Sequence, residues 1–416
     1  MGILAINGGK PVSKDRYKVK WPEVGQDDIR SIVRVVESGQ WWRYTTTRES
    51  EVSLFEKEYA HYHDAKYCLS VFNGTVAIVA ALKALGIEAG DEVIVPSLTF
   101  IASASAIILA QGVPIFADVL EDTCQIDPVS IEKKITRRTK GIVVVHYGGY
   151  PADMDAILKI AKRHRLFVVE DSAHAQGTEW KGRKVGAIGD IGTFSFQQSK
   201  SLTSGEGGAI ITNSKELYEK VYAYHHIGRA HGSAKYDHTI VGPNYRITEF
   251  QGALLRTQLK KLQRQTEKRM ENANLLSKGL KEIEGIKPLK EDKRITQRGY
   301  YFYILRYDEK AFGGLSRENL LKALSAEGTP LGVGYRMPVY QSPVFQKSHF
   351  GRTGCPISCE KYKGKIDYSK VRCPAAEKIS YKQLLTLDTH ILLQKSNITN
   401  LLKALKKIQK HQKEFK

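Results

Sequence analysis

The chain has 416 residues, 64 Lys and Arg against 44 Asp and Glu, and a formal charge of +20 at pH 7. Hydrophobic residues make up 42% and charged residues 26%, which are ordinary globular values and exclude wholesale disorder, collagen and coiled coil. No stretch approaches the ~18 apolar residues of a membrane-spanning helix, so no membrane partner is expected. Because the length exceeds the ~250–300 residues at which one core usually stops growing, two domains are expected.

Residues 1–15 lack the basic segment, apolar stretch and cleavage site of a secretory signal, so a cytoplasmic location is expected. The positive charge leaves nucleic acid, an anionic surface and anionic small molecules open as partners. A nucleic-acid-binding regulatory protein is the weakest hypothesis, because basic residues are not interleaved with aromatic ones. The excess lies instead in 247–280, 351–373 and the final helix.

From residue 65 to 215, short apolar runs rich in β-branched residues alternate with helical stretches. We predict strands at 67–72, 92–96, 114–119, 141–146, 166–170, 191–196 and 209–212, and helices at 75–85, 101–111, 128–134 and 152–164. Most of these strands are continuous apolar runs, which is typical of strands buried on both faces. The pattern predicts an α/β fold with a mainly parallel, seven-stranded sheet between layers of helices.

The alternation of strands and helices ends near residue 247. We predict a domain boundary there, between a large domain, 1–247, and a smaller C-terminal α+β domain, 248–416. The smaller domain is expected to contain a long basic helix at 247–280, a strand at 301–307, a helix at 316–327 and a final amphipathic helix from Asn397. An irregular stretch rich in Gly, Lys and Cys, 351–373, is predicted to be an exposed insertion.

The spacing of Cys355 and Cys359, with Cys373 farther along the chain, is one that zinc ligands can have. The second ligand pair is incomplete and no histidine lies at ligand spacing, so no metal is expected. These cysteines are expected to be solvated or half-buried thiols.

In an open α/β sheet, ligands bind at the carboxyl ends of the strands, so the residues that follow each strand are the first candidates. Asn73, Gly74 and Thr75 follow the strand at 67–72 and open a helix. The free backbone N–H groups and the dipole of a helix N-terminus favour a phosphate. A simple helix cap explains the same residues.

Two ionisable residues also follow strands. Asp171 comes after the strand at 166–170, where a carboxylate can face a protonated ring nitrogen or cap the next turn. Lys200 lies between the strand at 191–196 and a Gly-rich loop. A poorly solvated lysine has a lowered amine pKa and can act as a nucleophile or imine partner, although a lysine at a strand end can also extend its amine to water.

Together with the aromatic residue Phe100, these residues match the needs of one cofactor. The phosphate of pyridoxal 5'-phosphate binds at a helix N-terminus, its aldehyde needs a lysine, and its ring nitrogen needs a carboxylate. An aromatic side chain can stack on its ring. We therefore predict this cofactor from the residues alone.

The same residues belong to motifs that resemble the DegT/DnrJ/StrS family of pyridoxal-phosphate-dependent sugar aminotransferases, in the fold type I superfamily of aspartate aminotransferase. The resemblance runs from NGGKP at 7–11 to about residue 400. Its motifs are GDEVIVP at 90–96, EDSAH at 170–174, FSF at 194–196, GEGG at 205–208 and NYR at 244–246.

The resemblance implies a role for each candidate. Lys200 would form the Schiff base with the cofactor and then shuttle the proton, and Asp171 would hold the pyridinium nitrogen. The other implied cofactor contacts are Phe100 on the ring face, Gly74, Thr75 and Ser195 at the phosphate, His174 near the phenolic oxygen, and Asn244 from the neighbouring subunit. The last role implies a homodimer with shared active sites.

Two branches of the family share features with this chain. GQWWR at 39–43 and Tyr340 resemble 3-amino-5-hydroxybenzoate synthase, whereas 301–307 and 311–315 resemble glutamine-dependent scyllo-inosose aminotransferases. The resemblance implies ping-pong transfer of an amino group from glutamate or glutamine to a keto-sugar or keto-cyclitol in secondary metabolism, with aromatising dehydration as the alternative. The candidate acceptor contacts are Trp41, Trp42, Arg43, His226, Arg229 and Tyr340.

Overall fold

The computed structural model describes residues 3–17, 19–44, 49–234, 236–347 and 350–415. Its strands are β1 (Tyr67–Val71), β2 (Glu92–Pro96), β3 (Val113–Ala117), β4 (Thr139–Val145), β5 (Phe167–Asp171), β6 (Glu179–Trp180), β7 (Arg183–Lys184), β8 (Ile191–Ser195), β9 (Gly208–Thr212), β10 (Ile286–Pro288), β11 (Ile295–Gln297), β12 (Phe302–Tyr307) and β13 (Leu384–Asp388). Its helices are α1 (Gln26–Ser38), α2 (Glu51–Tyr62), α3 (Gly74–Ala84), α4 (Ala102–Leu109), α5 (Pro128–Lys134), α6 (Met154–His164), α7 (Lys215–His225), α8 (Glu249–Leu280), α9 (Arg317–Ala326), α10 (Pro343–Gln346), α11 (Pro374–Lys378) and α12 (Lys395–Lys410).

A seven-stranded sheet in the order β1-β9-β8-β5-β4-β2-β3 forms the centre of the molecule. Strands β3, β2, β4, β5 and β8 run parallel to one another, and β9 runs antiparallel to both of its neighbours. The predicted α/β fold with a mainly parallel seven-stranded sheet is therefore confirmed, and each predicted strand corresponds to one strand of the sheet.

Alternate residues of the sheet enter two separate cores. Val143 and Val169 pack into a cluster with the apolar helix α3, whereas Ile142 and Val168 pack into a second cluster with α6. Because successive side chains of a strand point to opposite faces, this division places helices on both sides of the sheet. Burial on both faces is the physical reason why the strands are continuous apolar runs.

The C-terminal half forms its own antiparallel sheet, β10-β12-β13, packed with α8, α9 and α12. The beginning of the chain joins this core. Leu4 is fully buried there, and the buried carboxylate of Glu327 accepts hydrogen bonds from the backbone N–H groups of Ala5 and Val12. The predicted boundary at 247/248 falls just before α8 and stays a prediction.

The stretch 351–373 is irregular, as expected, and many of its charged and small polar residues are exposed, but its aromatic side chains are not. Tyr362 and Tyr368 are buried against the large sheet, where their hydroxyl groups donate to the Glu92 carboxylate (2.8 Å) and the Pro114 carbonyl (2.9 Å). The predicted exposed insertion is corrected accordingly. It covers the outer strand β3, and covering a sheet edge protects unpaired backbone groups from other strands.

The expectation of solvated or half-buried thiols is also wrong. Cys355 and Cys359 form a disulfide, and Cys373 is a fully buried thiol. The Cα atoms of the disulfide are 4.9 Å apart, which a four-residue spacing in a turn permits. Among the helices in the described ranges, none combines the length and hydropathy that crossing a membrane requires.

Two buried ion pairs secure the first half of the fold. The Arg43 guanidinium donates to both carboxylate oxygens of Glu56, at 2.8 and 2.6 Å, and both side chains are buried. Glu170, at the end of β5, lies 3.0 Å from the Nε2 of the buried His146 and accepts the backbone N–H groups of Gly186, Ile188 and Gly189. Burial opposes the charged form of Glu170, but His146 and these N–H groups outweigh it and lower its pKa.

Replacing Arg43 by Met should reduce the free energy of unfolding by about 3–5 kcal/mol, because it leaves the Glu56 carboxylate buried without its cation. Adding Glu56→Gln should recover much of the loss. Urea denaturation of the two variants measures both effects. A loss below about 1 kcal/mol for Arg43→Met would contradict the structural role of the pair.

Glu170→Gln should destabilise the fold by about 3 kcal/mol at neutral pH. Because the folded pKa of Glu170 is depressed, its contribution is present above the unfolded carboxyl pKa and is lost as the pH falls through the lower folded value. The variant should therefore lose stability less steeply than the parent below about pH 4.3. Thermal denaturation between pH 3 and 7 checks this, with Glu216→Gln on the surface of α7 as the matched control. Parallel pH profiles for parent and Glu170→Gln would contradict it.

Candidate active site

A cavity of about 520 Å³ opens at the carboxyl ends of the parallel strands. Seven of the predicted site residues line it together, although they come from four separate stretches of the chain. These are Gly74, Thr75, Phe100, Asp171, His174, Ser195 and Lys200. Parallel strands bring their carboxyl ends to one edge of the sheet, so residues distant in sequence meet there.

The first wall of the cavity is the beginning of α3. The Asn73 side chain caps the helix by accepting the Val76 N–H at 3.0 Å. A Cβ atom on Gly74 would lie 2.8 Å from the Ser195 Cβ, so only glycine permits this approach of α3 to the end of β8. The result is a helix N-terminus beside the Thr75 and Ser195 side chains, an arrangement that suits an anion.

The Asp171 carboxylate forms the buried floor. One oxygen accepts the Ser103 hydroxyl at 2.7 Å and the other accepts the Ala173 N–H at 3.2 Å. Burial raises the pKa of Asp171, while these two donors and the charge of Lys200 act in the opposite direction. The carboxylate is thus held in one orientation and is ready to pair with a cation.

The Lys200 amine lies inside the cavity, on the ring of Tyr301, with its Nζ 4.3 Å from the ring centroid. Burial lowers the pKa of the amine to about 8, and Asp171 partly offsets this effect. A substantial fraction of the amine is therefore neutral near physiological pH, which is the form that attacks a carbonyl group.

His174 is buried between aromatic rings. It stacks on Tyr301 with ring centroids 4.0 Å apart, and its Nε2 lies 3.4 Å from the Tyr335 hydroxyl. Burial, together with the charge of Lys200, holds the pKa of His174 well below its usual value, so the ring is neutral. The Gly148 N–H points at its Nδ1 (3.4 Å), which places the ring proton on Nε2.

Three residues of the site escaped the sequence-based prediction. Ser103 is one of two serines in the otherwise apolar helix α4, a signal that could have marked it. Tyr301 was predicted as the start of a strand in a stretch that resembles one branch of the family, but without a role at the site, and Tyr335 lies in a segment without a periodic pattern. Both tyrosines come from the C-terminal half and complete the cavity from above the sheet edge.

Five other predicted residues lie outside the lining of this cavity, in the region of α7. Arg246 contacts two of them: its guanidinium donates to the Nδ1 of the buried His226 at 3.0 Å and lies 5.8 Å from the centre of the Trp42 ring. Burial and Arg246 lower the pKa of His226 to about 4. The five residues are Trp41, Trp42, His226, Arg229 and Asn244; the two tryptophans are about half exposed, and Asn244 is exposed.

The predicted acceptor contacts Arg43 and Tyr340 are corrected by the structure. Arg43 is buried against Glu56, as described above. Tyr340 is fully buried beside Phe116, where its hydroxyl donates to the Glu377 carboxylate and accepts the Cys373 N–H. Both side chains are engaged by carboxylates within the fold, and neither lines the cavity.

Comparisons with known proteins agree with this geometry. Residues 22–406 match the model of the DegT/DnrJ/EryC1/StrS aminotransferase family. An L-glutamine:2-deoxy-scyllo-inosose aminotransferase of Streptoalloteichus tenebrarius is 35% identical over 431 aligned positions, with 99% of each chain covered.

Solved structures give the same result. The crystal structure of 3-amino-5-hydroxybenzoic acid synthase is 34% identical, with a TM-score of 0.83 over 94% of this chain and 98% of the other. S. venezuelae DesV in complex with a ketimine intermediate is 30% identical, with a TM-score of 0.82 over 95% of this chain and 99% of the other. The chain therefore belongs to the DegT/DnrJ/EryC1/StrS aminotransferase family and is an aminotransferase.

Proposed function

We propose that this aminotransferase uses pyridoxal 5'-phosphate to move an amino group from glutamine to a keto-cyclitol, in aminocyclitol biosynthesis. The observation that carries the proposal is the Lys200 amine, which is buried in one cavity with the Asp171 carboxylate and the N-terminus of α3. The names of relatives that cover nearly the whole chain, glutamine-dependent aminotransferases of scyllo-inosose derivatives, support the donor and the acceptor class.

The residues present fit the cofactor. Because Gly74 has no Cβ atom, the N-terminus of α3 lies directly against Ser195, so its N–H groups and the Thr75 and Ser195 hydroxyl groups could bind one phosphate together. Asp171 would pair with the ring nitrogen, Phe100 would cover the ring face, and His174 would lie near the phenolic oxygen. When bound, the cofactor supplies an electron sink for carbanion chemistry.

The protein's own groups would then hold the reactants and move one proton. Lys200 would hold the cofactor covalently through its neutral amine, and the freed amine would accept and return the proton that transamination moves. The Ser103 hydroxyl and the Ala173 N–H keep the Asp171 carboxylate aimed at the ring nitrogen. Phe100 and Phe302 add apolar surface to the cavity, and a low-dielectric lining strengthens charged interactions.

We also propose that a second copy of the chain completes the site. Asn244 is exposed and does not line the cavity of its own chain, although the described residues place it beside Arg246 and His226. In a homodimer, this surface would supply Asn244 to the phosphate and Trp42 and Arg229 to the acceptor of the partner. A cytoplasmic location and the lack of a nucleic-acid or membrane partner are further parts of this proposal.

Aromatising dehydration to 3-amino-5-hydroxybenzoate is the second candidate. The likeness to the synthase structure favours it, as do the half-exposed rings of Trp41 and Trp42, which could stack on a flat product. The two reactions act on different substrates, so assays with each substrate distinguish them.

Lys200→Ala should abolish the visible absorption band of the bound cofactor, which borohydride removes from the parent, and should reduce transamination by at least ~10²-fold. Absorption spectra and a coupled 2-oxoglutaramate assay measure the two effects. Lys184→Ala is the matched control, because Lys184 is a half-buried lysine paired with Glu179 outside the cavity. A Lys200→Ala protein that keeps both band and activity would refute the proposal.

The kcat/KM for glutamine-dependent amination of 2-deoxy-scyllo-inosose should be at least ~10-fold higher than that for dehydration of aminodehydroshikimate, which takes up no amino group, since a site that hydrogen-bonds several hydroxyl groups discriminates against a substrate with fewer of them. Mass spectrometry of the products checks this. Formation of 3-amino-5-hydroxybenzoate as the main product would establish the second candidate instead.

A further inference from the structure

We propose that Tyr301 is a positioning residue for Lys200. The face of the Tyr301 ring holds the Lys200 amine whenever that amine is not bound to the cofactor. The proposal rests on the proposed function, because it assigns a place to the lysine that would carry the cofactor. It concerns a residue from the C-terminal half of the chain to which the sequence had assigned no role at the site.

The contact itself is the first argument. The Lys200 Nζ lies 4.3 Å from the centroid of the Tyr301 ring, a distance at which the negative face of the ring attracts an ammonium group. Among the described ion pairs, none joins Lys200 to a carboxylate within 4.0 Å, and Asp171 acts on it only as a more distant charge. The ring face therefore provides the near contact for the buried amine.

The ring is fixed on its other sides. His174 stacks against the Tyr301 ring at 4.0 Å with an interplanar angle of 22°, and the Tyr301 hydroxyl lies 2.9 Å from the Ser199 Oγ. Ser199 precedes Lys200, so the ring is tied to the same loop that carries the lysine. A stacked ring with a tethered hydroxyl cannot turn its face away from the amine without breaking both contacts.

The backbone before Tyr301 is held in an unusual conformation. Tyr300 has φ of +51°, a left-handed value that a bulky residue rarely adopts. The Tyr301 carbonyl accepts the Thr389 N–H at 2.9 Å, and Ser201 and Thr389 share a hydrogen bond at 3.2 Å. The fold therefore maintains a strained segment that links Tyr301 to the Lys200 loop from both sides.

The Tyr301 ring is in contact with the Lys200 amine, and the Asp171 charge acts on the amine from farther away. The titratable groups that share the cavity with Lys200 are Asp171, His174, Glu206, Tyr301 and Tyr335. His174 is neutral because burial and the lysine charge lower its pKa, and burial raises the pKa of both tyrosines. Loss of the ring face would disfavour the ammonium form, so the pKa of Lys200 would fall below its value of about 8.

The test measures the pKa of Lys200 in the cofactor-free, full-length chain. Lysines are reductively methylated with ¹³C-formaldehyde, the Lys200 signal is assigned by its absence in Lys200→Arg, and its shift is followed by NMR from pH 6 to 11. Tyr301→Leu should lower the pKa by roughly 0.5–1, a three- to ten-fold change in the protonation constant. Tyr301→Phe, which keeps the ring, should leave the pKa near that of the parent.

Phe302→Leu is the matched control, because Phe302 lines the same cavity and changes its apolar surface by a similar amount. Tyr301→Met serves if Tyr301→Leu does not fold, as judged by circular dichroism. A pKa in both ring-free variants equal to that of Phe302→Leu would overturn the proposal. In the loaded enzyme, Tyr301→Leu should lower kcat while the KM for glutamine stays near the parental value.

The measurement in the absence of cofactor separates this inference from the proposed function. If Lys200 carries no cofactor, the absorption band fails to appear, while the pKa comparison still reports whether the ring holds the amine. If the band is present and the pKa does not depend on the ring, only the role of Tyr301 is lost.

Discussion

Two consecutive carboxylates at the end of β5 determine how the whole site is built. Because side chains alternate across a strand, Glu170 and Asp171 point to opposite faces of the sheet. Glu170 has a structural role: it binds His146 and accepts three backbone N–H groups of the loop that follows. Asp171 faces the cavity with the Ser103 hydroxyl as its support. A shift of one residue in β5 would exchange the two roles and destroy both.

The electrostatics of the site depend on burial rather than on the net charge of the chain. Lys200 and Asp171 are both removed from water, and burial moves both pKa values toward the neutral form. The +20 charge is carried largely elsewhere. In 351–373, for example, lysines lie in water while Tyr362 and Tyr368 attach the segment to the sheet edge. A strongly basic sequence is thus compatible with a site that uses very few cations.

Much of the architecture and of the site was predictable from the sequence. Continuous apolar runs located all seven strands of the sheet, because burial on both faces leaves no room for polar alternation. The residues after those strands, above all Asp171 and Lys200, were predictable because a parallel sheet collects its carboxyl ends at one edge. The small residues after β1 were equally informative, since only glycine fits between α3 and Ser195.

What the sequence by itself determined, then, was the large sheet and the groups that stand at its strand ends. Only the tertiary structure decided which side chains close the cavity from outside the sheet. Tyr301 and Tyr335 reach Lys200 and His174 from more than a hundred residues away, and no local periodicity encodes such a contact. Arg43 and Tyr340 show the converse: they belong to motif-like stretches but are buried, where the carboxylates of Glu56 and Glu377 bind them. Whether a polar side chain faces a ligand or the interior depends on its partner in space, and that partner is chosen by packing.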